Sequence, residues 1–279
     1  MILIADSGST KTEWRTIADG QIGQAKTAGF NPYYQDSATI AAQLREHLLP
    51  AVTGSIEEVY YYGAGCNSAE SCGVVEAALR EVFPTIRTAE IGSDMLGAAR
   101  ALCNREPGIA CILGTGANAC LYDGRDIARP AMTLGFWLGD EGSGGYLGKT
   151  LVTRFLHGEL PEDLMEKFRK RYPDVDRLTV LDRAYKQPFP NRYFASFSKF
   201  LFDNRSNPVA YGIVQDAFAL FLDKYVRKFP ESTSLPVHFV GSVAFYYSDI
   251  LRRIAADKGL VVKHILENPI AGLTLYHQP

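Results

Sequence analysis

Short apolar runs alternate with turns of small polar residues at the amino terminus. Residues 1–5 are apolar, and Asp6-Ser-Gly-Ser-Thr10 has the composition of a turn. A strand-like stretch from 11 to 18 then leads through Asp19-Gly20 into a third stretch that ends at Gly29. This pattern predicts a meander of three antiparallel strands.

The same order of elements returns about a hundred residues later. Ile109-Ala-Cys-Ile-Leu113 is apolar, Gly114-Thr-Gly-Ala-Asn118 is a turn of small residues, and Ala119 to Tyr122 is strand-like. Asp123-Gly124 then precedes a further stretch from Asp126 to Leu134. Because so ordered a pattern rarely repeats by chance, we interpret the chain as a duplicated unit.

Helical and strand-like segments alternate after each meander. In the first half, Ile40, Leu44 and Leu48 share one face of a predicted helix over 37–49. Strands at 59–62 and 88–91 and helices over 75–82 and 94–104 follow. The second half predicts helices at 143–157, 193–204, 208–229, 243–257 and 269–277, with strands at 237–240 and 260–265. Such an order builds an α/β fold, a mixed sheet with helices on its faces.

Glu106-Pro-Gly108 punctuates the chain between the two halves. We therefore expect one domain over residues 1–106 and a second, with helical insertions, over 107–268. The last helix, about 269–279, is expected to pack back on the first domain. The two halves are expected to enclose a cleft.

Composition excludes several classes of protein. The 279 residues are 47% apolar and 22% charged, as in an ordinary globular protein, and the net charge of −2 predicts neither a nucleic acid nor a membrane as partner. The amino terminus reaches Asp6 too soon for a signal peptide, which predicts a cytoplasmic protein. Five cysteines without a Cys-x-x-Cys spacing indicate reduced thiols instead of a zinc site.

The two turns could bind phosphate. Backbone N–H groups, hydroxyls and Lys11 in the segment 6–12 suit phosphate oxygens, although the segment leads into a strand and is not a P-loop. Such a turn alone is equally well a hairpin without function. The second turn, at 114–118, lies at the equivalent point of the repeat, and the pair together favours a nucleotide.

Three acidic residues are candidates for chemistry. Asp94 follows a predicted strand and opens a helix, so it is either a general base or a helix cap. Asp140 and Glu141 are adjacent in a glycine-rich segment, where they could bind a metal, cap the next helix or accept hydrogen bonds from hydroxyl groups. The residues alone leave these alternatives open.

Three segments resemble a known family: Ile112-Leu-Gly-Thr-Gly-Ala-Asn118, Gly135-Phe-Trp-Leu-Gly-Asp-Glu-Gly-Ser143 and Val240-Gly-Ser-Val243. They resemble the N-acetylglucosamine kinase group of the BadF/BadG/BcrA/BcrD-type ATPase family, in the superfamily of sugar kinases, heat-shock ATPases and actin. The resemblance extends in order over nearly the whole chain. It implies two duplicated ribonuclease H-like domains, the actin-like ATPase fold, with ATP in the cleft between them.

The resemblance implies roles by position. Asp94 matches the catalytic aspartate, and Asp6 is placed to hold Mg²⁺ through water. The residues matched to the phosphates of ATP are Gly8, Ser9, Thr10, Lys11, Thr115 and Gly116, and those beside the adenosine are Gly241 and Ser242. The residues matched to the sugar are Asn31, Asn118, Gly135 and Asp140, with Glu141 as a cap or a support behind Asp140.

The implied activity is phosphorylation of an N-acetylated amino sugar by ATP with Mg²⁺, with N-acetylglucosamine 6-phosphate as the expected product. N-acetylmuramic acid is an alternative substrate. A different alternative is an ATPase that activates a partner enzyme, of the 2-hydroxyacyl-CoA dehydratase activator type, through an iron–sulfur cluster held by cysteines of two subunits. The resemblance leaves a homodimer open as the oligomeric state.

Overall fold

Two five-stranded sheets organise this computed structural model, which describes residues 1–8 and 11–278. The predicted phosphate-turn residues Ser9 and Thr10 lie outside the described residues. The chain divides into two compact units. Unit 1 contains Met1–Glu106, Asp123–Ile127 and the chain from Asn268, and unit 2 contains Pro107–Tyr122 and Ala128–Glu267.

The first sheet belongs to unit 1. Its strands are β1 (Ile2–Ser7), β2 (Lys11–Ala18), β3 (Gln21–Ala28), β4 (Glu58–Gly63) and β5 (Thr88–Ser93). Their order across the sheet is β3-β2-β1-β4-β5, with the first three strands antiparallel and β4 and β5 parallel to β1. Asp19 and Gly20 both have positive φ, as a two-residue hairpin turn requires, which confirms the predicted turn.

The second sheet repeats this topology. Its strands are β6 (Gly108–Leu113), β7 (Ala117–Tyr122), β8 (Ile127–Pro130), β9 (Val237–Val240) and β10 (Val262–Leu266). The order β10-β9-β6-β7-β8 matches that of the first sheet. Strand β7 is antiparallel to β6, β9 is parallel to β6, and β10 is parallel to β9 with a register shift between Val262 and Ile265. The predicted duplication and the α/β class are therefore confirmed.

Thirteen α-helices lie among the described residues. They are α1 (Ser37–Gln43), α2 (Ala69–Val82), α3 (Asp94–Cys103), α4 (Gly135–Leu138), α5 (Gly144–Leu156), α6 (Glu162–Arg171), α7 (Arg177–Tyr185), α8 (Pro190–Ala195), α9 (Ser198–Asp203), α10 (Pro208–Lys224), α11 (Ser242–Tyr246), α12 (Ser248–Asp257) and α13 (Ile270–His277). Helix α13 packs against α3 and β1 within unit 1.

Successive side chains of β1 point to opposite faces of the first sheet, and each face packs against its own layer of helices. Leu3 and Ala5 belong to the large core under α1 and α2, whereas Ile4 belongs to the smaller core that includes Leu273 of α13. By the same alternation, Asp6 lies on the face of the sheet that α3 and α13 cover. Unit 2 has one large core, which contains Leu113, Phe218 and Phe239 among its fully buried side chains.

Several predicted helices and one strand have other limits in the structure. The helix predicted over 193–204 is two helices, α8 and α9, and the one predicted over 243–257 is also two, α11 and α12. Helix α10 stops at Lys224, short of the predicted 229, and Phe229 is extended because Pro230 follows it. Strand β8 ends at Pro130 instead of Leu134.

Candidate functional site

Unit 1 brings Asp6 and Asp94 to the same edge of its sheet. Asp6 pairs in register with Tyr62 of β4, and Tyr62 pairs with Gly92 of β5, two residues before Asp94. Both carboxylates therefore lie near the carboxyl ends of parallel strands, where ligands of such sheets commonly bind.

The environment changes the protonation of both carboxylates. Burial raises the pKa of Asp6 to about 7, with the negative charges of Asp94 and Glu13 acting in the same direction and Lys11 opposing them. Burial also raises the pKa of Asp94, although the N–H of Met95, which donates to its Oδ1 at 2.8 Å, acts to lower it. A carboxylate of raised pKa accepts a proton more readily than an ordinary aspartate.

Ser93 caps helix α3. Its hydroxyl oxygen accepts from the N–H of Leu96 at 3.2 Å, and Asp94 is the first residue of the helix. Ser93, and not Asp94, is therefore the N-cap residue of α3, and the Asp94 carboxylate accepts one further N–H of the first turn, that of Met95. The role of Asp94 as a general base stays a prediction.

The first predicted phosphate turn is partly described. The N–H of Gly8 donates to the carbonyl of Lys11 at 3.0 Å, which closes the hairpin between β1 and β2. Lys11 Nζ lies 2.7 Å from Glu13 Oε1, with 61% of the lysine side chain exposed. Although burial acts to raise the pKa of Glu13, Lys11 and Lys26 lower it overall. Lys11 is thus a cation at the same edge of the sheet as Asp6.

Asn31 lies against the loop that follows β4. Its Oδ1 accepts from the N–H of Tyr33 at 3.0 Å, and its own N–H donates to Gln35 Oε1 at 2.9 Å. Gly65 has a positive φ, and a Cβ there would lie 2.6 Å from Asn31 Oδ1. Strands β3 and β4 both end at the edge of the sheet where β1 ends. Unit 1 therefore has four predicted site residues near this edge, namely Asn31, Lys11, Asp6 and Asp94.

The second predicted phosphate turn, in unit 2, is held by the start of α5. The N–H of Gly144 donates to the carbonyl of Gly114 at 2.8 Å, and that of Gly145 donates to the carbonyl of Thr115 at 3.0 Å. A Cβ on Gly145 would lie 3.0 Å from that carbonyl oxygen, a tight contact that glycine avoids. Thr115 itself is exposed at the tip of the turn.

Asp140 contacts the same turn. Its Oδ1 accepts from the N–H of Ala117 at 3.3 Å, and a Cβ on Gly116 would lie 3.0 Å from its Oδ2. Burial raises the pKa of Asp140, opposed first by the Ala117 N–H and supported by the charge of Glu141, while Lys149 acts to lower it. The structure thus brings a predicted sugar ligand together with the predicted phosphate turn.

Glu141 is not a helix cap. Ser143 caps α5 through the N–H of Tyr146 at 3.1 Å, whereas the Glu141 carboxylate accepts from the hydroxyl of Tyr225 at 2.5 Å and forms an ion pair with Lys224. The cap alternative for Glu141 is therefore wrong, and its side chain ties the segment after α4 to the end of α10. Local sequence carries no signal for these partners, because they lie more than eighty residues further along the chain.

Gly241 approaches the end of β6. Its φ is +119°, and a Cβ there would lie 2.4 Å from the carbonyl oxygen of Leu113, directly before the Gly114 turn. Only glycine fits this combination of backbone angle and contact. For the predicted sugar residues Asn118 and Gly135, the structure gives local contacts only. The Oδ1 of Asn118 accepts from the N–H of Ala119 at 2.9 Å, and Gly135 is an exposed residue at the start of α4.

A cavity of about 380 Å³ adjoins Ser242 at the start of α11. Its lining residues come from two helices and the turn after α11, and they are Ser198, Lys199, Phe202, Asp203, Ser242, Val243, Tyr246 and Tyr247. The rings of Phe202 and Tyr246 meet edge to face, with centroids 5.8 Å apart. The α9 residues of this cavity were not predicted, because nothing in their sequence marks them as neighbours of Ser242.

Neither a metal-binding cluster nor a membrane-spanning helix is present among the described residues. No group of three or more histidine, cysteine, aspartate and glutamate side chains in this part of the chain could hold a metal ion. None of the helices described here is long and apolar enough to cross a membrane.

Comparison with solved structures identifies the class of protein. The chain is 43% identical to a candidate N-acetylglucosamine kinase from Porphyromonas gingivalis, with a TM-score of 0.94 over 99% of this chain and 98% of that one. A second candidate N-acetylglucosamine kinase, from Chromobacterium violaceum, matches at 20% identity, with a TM-score of 0.75 over 99% and 98%. A ROK family glucokinase from Streptomyces griseus, solved with glucose and AMPPNP, matches at 14% identity, with a TM-score of 0.57 over 99% and 97%. No protein-family model and no curated protein matches the chain.

These similarities place the chain among the sugar kinases of the actin-like ATPase fold. Its identity to the P. gingivalis protein over nearly the full length of both chains assigns it further. The chain belongs to the N-acetylglucosamine kinase group, which confirms the family expected from the sequence motifs.

Proposed function

We propose that this protein transfers the γ-phosphoryl group of ATP to the C6 hydroxyl of an N-acetylated amino sugar, with N-acetylglucosamine as the preferred acceptor. The observation that carries the proposal is the position of Asp94, a half-buried carboxylate of raised pKa that begins a helix at the carboxyl end of β5 and is not its N-cap residue. The 43% identity to a candidate N-acetylglucosamine kinase supports the choice of sugar.

Asp94 is the general base of the proposed reaction. It accepts the proton of the C6 hydroxyl as the oxygen forms a bond to the γ-phosphorus and the bond from phosphorus to the β–γ bridging oxygen breaks, which leaves ADP and the sugar 6-phosphate. Such positioned proton transfer contributes a factor of roughly 10²–10⁴ in rate. Asn31, in the same unit, is the proposed donor and acceptor for the sugar hydroxyls.

The phosphate groups are proposed ligands of two turns. In unit 1 we assign them to Gly8 and Lys11, together with Ser9 and Thr10, which lie outside the described residues. In unit 2 we assign them to Thr115 and Gly116. By residue type these segments supply N–H, hydroxyl and ammonium groups, which are the donors that phosphate oxygens require.

Asp6 fits a divalent cation. A carboxylate whose pKa is raised to about 7 by burial and by neighbouring acids is a site where a positive charge is stabilised. Mg²⁺, when bound beside the phosphates, neutralises the negative charge of the transferring group. Asp6 would hold it through water, as Mg²⁺ keeps several waters and takes one or two carboxylates.

Unit 2 is proposed to bind the adenosine and part of the sugar. The cavity beside Ser242, with Phe202 and Tyr246 in its wall, is the proposed adenosine pocket. Gly241 has no side chain and so leaves space for the adenosine next to β6. Asp140, Asn118 and Gly135 are the proposed sugar contacts of this unit.

A coupled assay of ADP release tests the proposal directly. The acceptors are N-acetylglucosamine, N-acetylmuramic acid, glucosamine and glucose, with the phosphorylated carbon identified by NMR. We expect ADP release that depends on an N-acetylated sugar and is fastest with N-acetylglucosamine. Faster turnover of N-acetylmuramic acid would change the assigned acceptor, and ADP release that no sugar stimulates would overturn the proposal.

The activator alternative is tested by the absorption spectrum of anaerobically purified protein. Four of the five cysteines, at positions 66, 103, 111 and 120, are at most 5% exposed. Buried thiols of this kind are poorly placed to share a cluster with a second subunit. An iron–sulfur absorption band would favour the activator over the kinase.

A further inference from the structure

The cavity beside Ser242 adjoins the turn at Gly114 from two sides. On one side, a Cβ on Gly241, the residue before Ser242, would lie 3.1 Å from the backbone nitrogen of Gly114. On the other side, a Cβ on Gly144 would lie 3.3 Å from the carbonyl oxygen of Gly114 and 3.5 Å from Oγ of Ser198. Ser198 begins α9 and lines the cavity. The cavity is therefore next to the turn to which we assign phosphate groups of ATP.

Helix α9 begins beside this turn and ends at Asp203, and both of its end residues line the cavity. Each helical residue advances the chain by about 1.5 Å, so Asp203 lies roughly 7.5 Å further along the helix axis than Ser198. Of the lining residues that the structure describes, Asp203 is the only acidic one. Because an anion repels phosphate groups, we expect this end of the cavity to hold the uncharged nucleoside.

An ion pair holds Asp203 from outside its own helix. Nη1 of Arg171, the last residue of α6, donates to Oδ2 of Asp203 at 2.7 Å. The arginine and aspartate side chains are 34% and 40% exposed. A carboxylate accepts hydrogen bonds at both of its oxygens, so Oδ1 can bind a ligand hydroxyl while Oδ2 keeps its ion pair. The pair thus fixes an acceptor at the wall of the cavity.

Aromatic rings form another part of the same wall. The ring of Phe202 meets those of Tyr246 and Tyr247 edge to face, with centroids 5.8 and 5.4 Å apart. The guanidinium group of Arg205 lies 4.2 Å from the centre of the Phe202 ring. Such rings offer a flat base an apolar contact surface, whereas the hydroxyl groups of a ribose need hydrogen-bond partners. The carboxylate of Asp203 is therefore suited to the ribose.

We propose that Asp203 binds the ribose of the nucleotide by accepting a hydrogen bond from its 2′-hydroxyl, and that it makes the enzyme select ribonucleotides over 2′-deoxyribonucleotides. The inference rests on the proposed function, because it takes the cavity as the adenosine pocket. It adds to that pocket a residue that lies outside the sequence motifs of the family.

A purely structural ion pair between α6 and α9 explains the place of Asp203 poorly. Exposed ion pairs contribute little to stability, and such a pair could join the two helices away from the cavity. The two explanations also differ in what a substitution does. Loss of a structural contact would weaken the binding of every nucleotide, whereas loss of a hydroxyl contact would weaken only those nucleotides that carry the 2′-hydroxyl.

Calorimetric Kd values for ADP and 2′-deoxy-ADP, each measured with MgCl₂ and without sugar, test the proposal. We expect the parent to bind ADP about tenfold more tightly, which is the lower end of what a hydrogen bond to a charged group contributes, because Asp203 is partly exposed. In Asp203→Ala this ratio should fall to about one, since ADP loses affinity and 2′-deoxy-ADP does not. The matched control is Asp223→Ala in α10, which removes an ion-paired aspartate that is 43% exposed and should keep the parental ratio.

Three results would overturn the proposal. The first is equal affinity of the parent for the two diphosphates. The second is an equal loss of affinity for both in Asp203→Ala, as a structural role requires. The third uses guanosine diphosphate as a probe: a changed preference between ADP and guanosine diphosphate in the variant, with an unchanged ratio of ADP to 2′-deoxy-ADP, would show that Asp203 contacts the base.

If Asp203→Ala does not fold, Asp203→Asn replaces it. The ratio should again fall towards one, because an amide is a weaker acceptor than a carboxylate. An unchanged ratio in a folded Asp203→Asn would overturn the proposal.

The binding measurement needs no phosphoryl transfer, so failure of this inference and failure of the proposed function are distinguishable. The expected ratios together with ADP release that no sugar stimulates would overturn the proposed function alone. Sugar-dependent ADP release together with equal affinities for ADP and 2′-deoxy-ADP would overturn the role of Asp203 alone.

Discussion

The backbone N–H of Ala117 donates to Oδ1 of Asp140 at 3.3 Å. One carboxylate thereby joins the turn of Thr115 and Gly116 to the glycine-rich segment before α5. The N–H groups of Gly144 and Gly145 support the turn from the other end of this segment, through the carbonyls of Gly114 and Thr115. The predicted phosphate turn and the segment that carries the predicted sugar ligand Asp140 are therefore one hydrogen-bonded structure within unit 2.

Replacement of Asp140 by Asn should consequently affect both substrates. The amide is a weaker acceptor for the Ala117 N–H than the carboxylate, since charge-assisted hydrogen bonds are the stronger ones. We expect KM for ATP to rise about fivefold, which corresponds to a loss of about 1 kcal/mol, together with a larger rise in KM for the amino sugar. Thr115→Val is the matched variant, because it removes only the hydroxyl at the turn and should raise KM for ATP alone. A rise for the sugar alone in Asp140→Asn would separate the two sites.

Asp94→Asn should inactivate the enzyme without unfolding it. The amide retains the size of the side chain but cannot take up a proton, so kcat should fall about 10²-fold or more. Ser93 still caps α3, and the melting temperature and the affinities for ATP and sugar should stay close to those of the parent.

Ser93→Ala is the control for Asp94→Asn, with the opposite expectation. Loss of the cap should cost about 1 kcal/mol in the free energy of unfolding while kcat changes little. Parental turnover by Asp94→Asn would remove Asp94 from the mechanism.

Local signals were sufficient for the framework of the fold. Hairpin turns such as Asp19-Gly20 and the apolar runs beside them depend on a few adjacent residues, so both meanders and their repetition could be predicted. The breaks between α8 and α9 and between α11 and α12 could not. Tyr247 lies in the second break and its hydroxyl donates to the carbonyl of Ser198, the first residue of α9, at 2.8 Å. A contact between residues so far apart in the chain leaves no local pattern.

The residues of the candidate site also fall into two groups, those that local sequence could predict and those that it could not. Asp6, Asp94 and Asp140 are all next to turns or helix starts, and an acidic residue at such a position can be recognised from the sequence as a candidate site residue. Lys224 and Tyr225 lie at the end of the long helix α10, and only the packing of unit 2 shows that they contact Glu141. Supporting residues of this kind become visible only once the elements are assembled.

Asp6→Asn should stabilise the ligand-free protein at alkaline pH. The pKa of Asp6 is about 7 in the folded protein and near 3.8 in the unfolded chain, so the folded state binds its proton more tightly. The cost of holding the carboxylate is absent below pH 4, grows between pH 4 and 7, and is complete above pH 7. We expect a gain on the order of 2 kcal/mol for the variant at pH 8, about half of what the full pKa change would give, because the group is only half-buried.

Urea denaturation at pH 4.5, 6 and 8 measures this gain. Asp174→Asn, in an exposed turn, is the matched control. A gain for Asp6→Asn that does not increase with pH would show that the carboxylate is not held at a cost.

Gly241→Ala should destabilise unit 2 and weaken nucleotide binding together. The new Cβ would meet the carbonyl oxygen of Leu113 at 2.4 Å, and the backbone would be strained because φ is +119°. Gly259→Ala separates these two causes, since Gly259 also has a positive φ, +74°, but no atom within 4 Å of the new Cβ. Strain alone should cost Gly259→Ala about 1 to 2 kcal/mol of unfolding free energy and leave ATP affinity unchanged. Gly241→Ala should lose more, about 3 kcal/mol, since the contact adds to the strain.

Gly241→Ala should also bind ATP at least tenfold more weakly in calorimetry, because relief of the contact moves the start of α11 or the end of β6 next to the turn of Thr115. Equal losses of stability and no change in ATP affinity for the two variants would show that the close approach of Gly241 to Leu113 has no part in nucleotide binding.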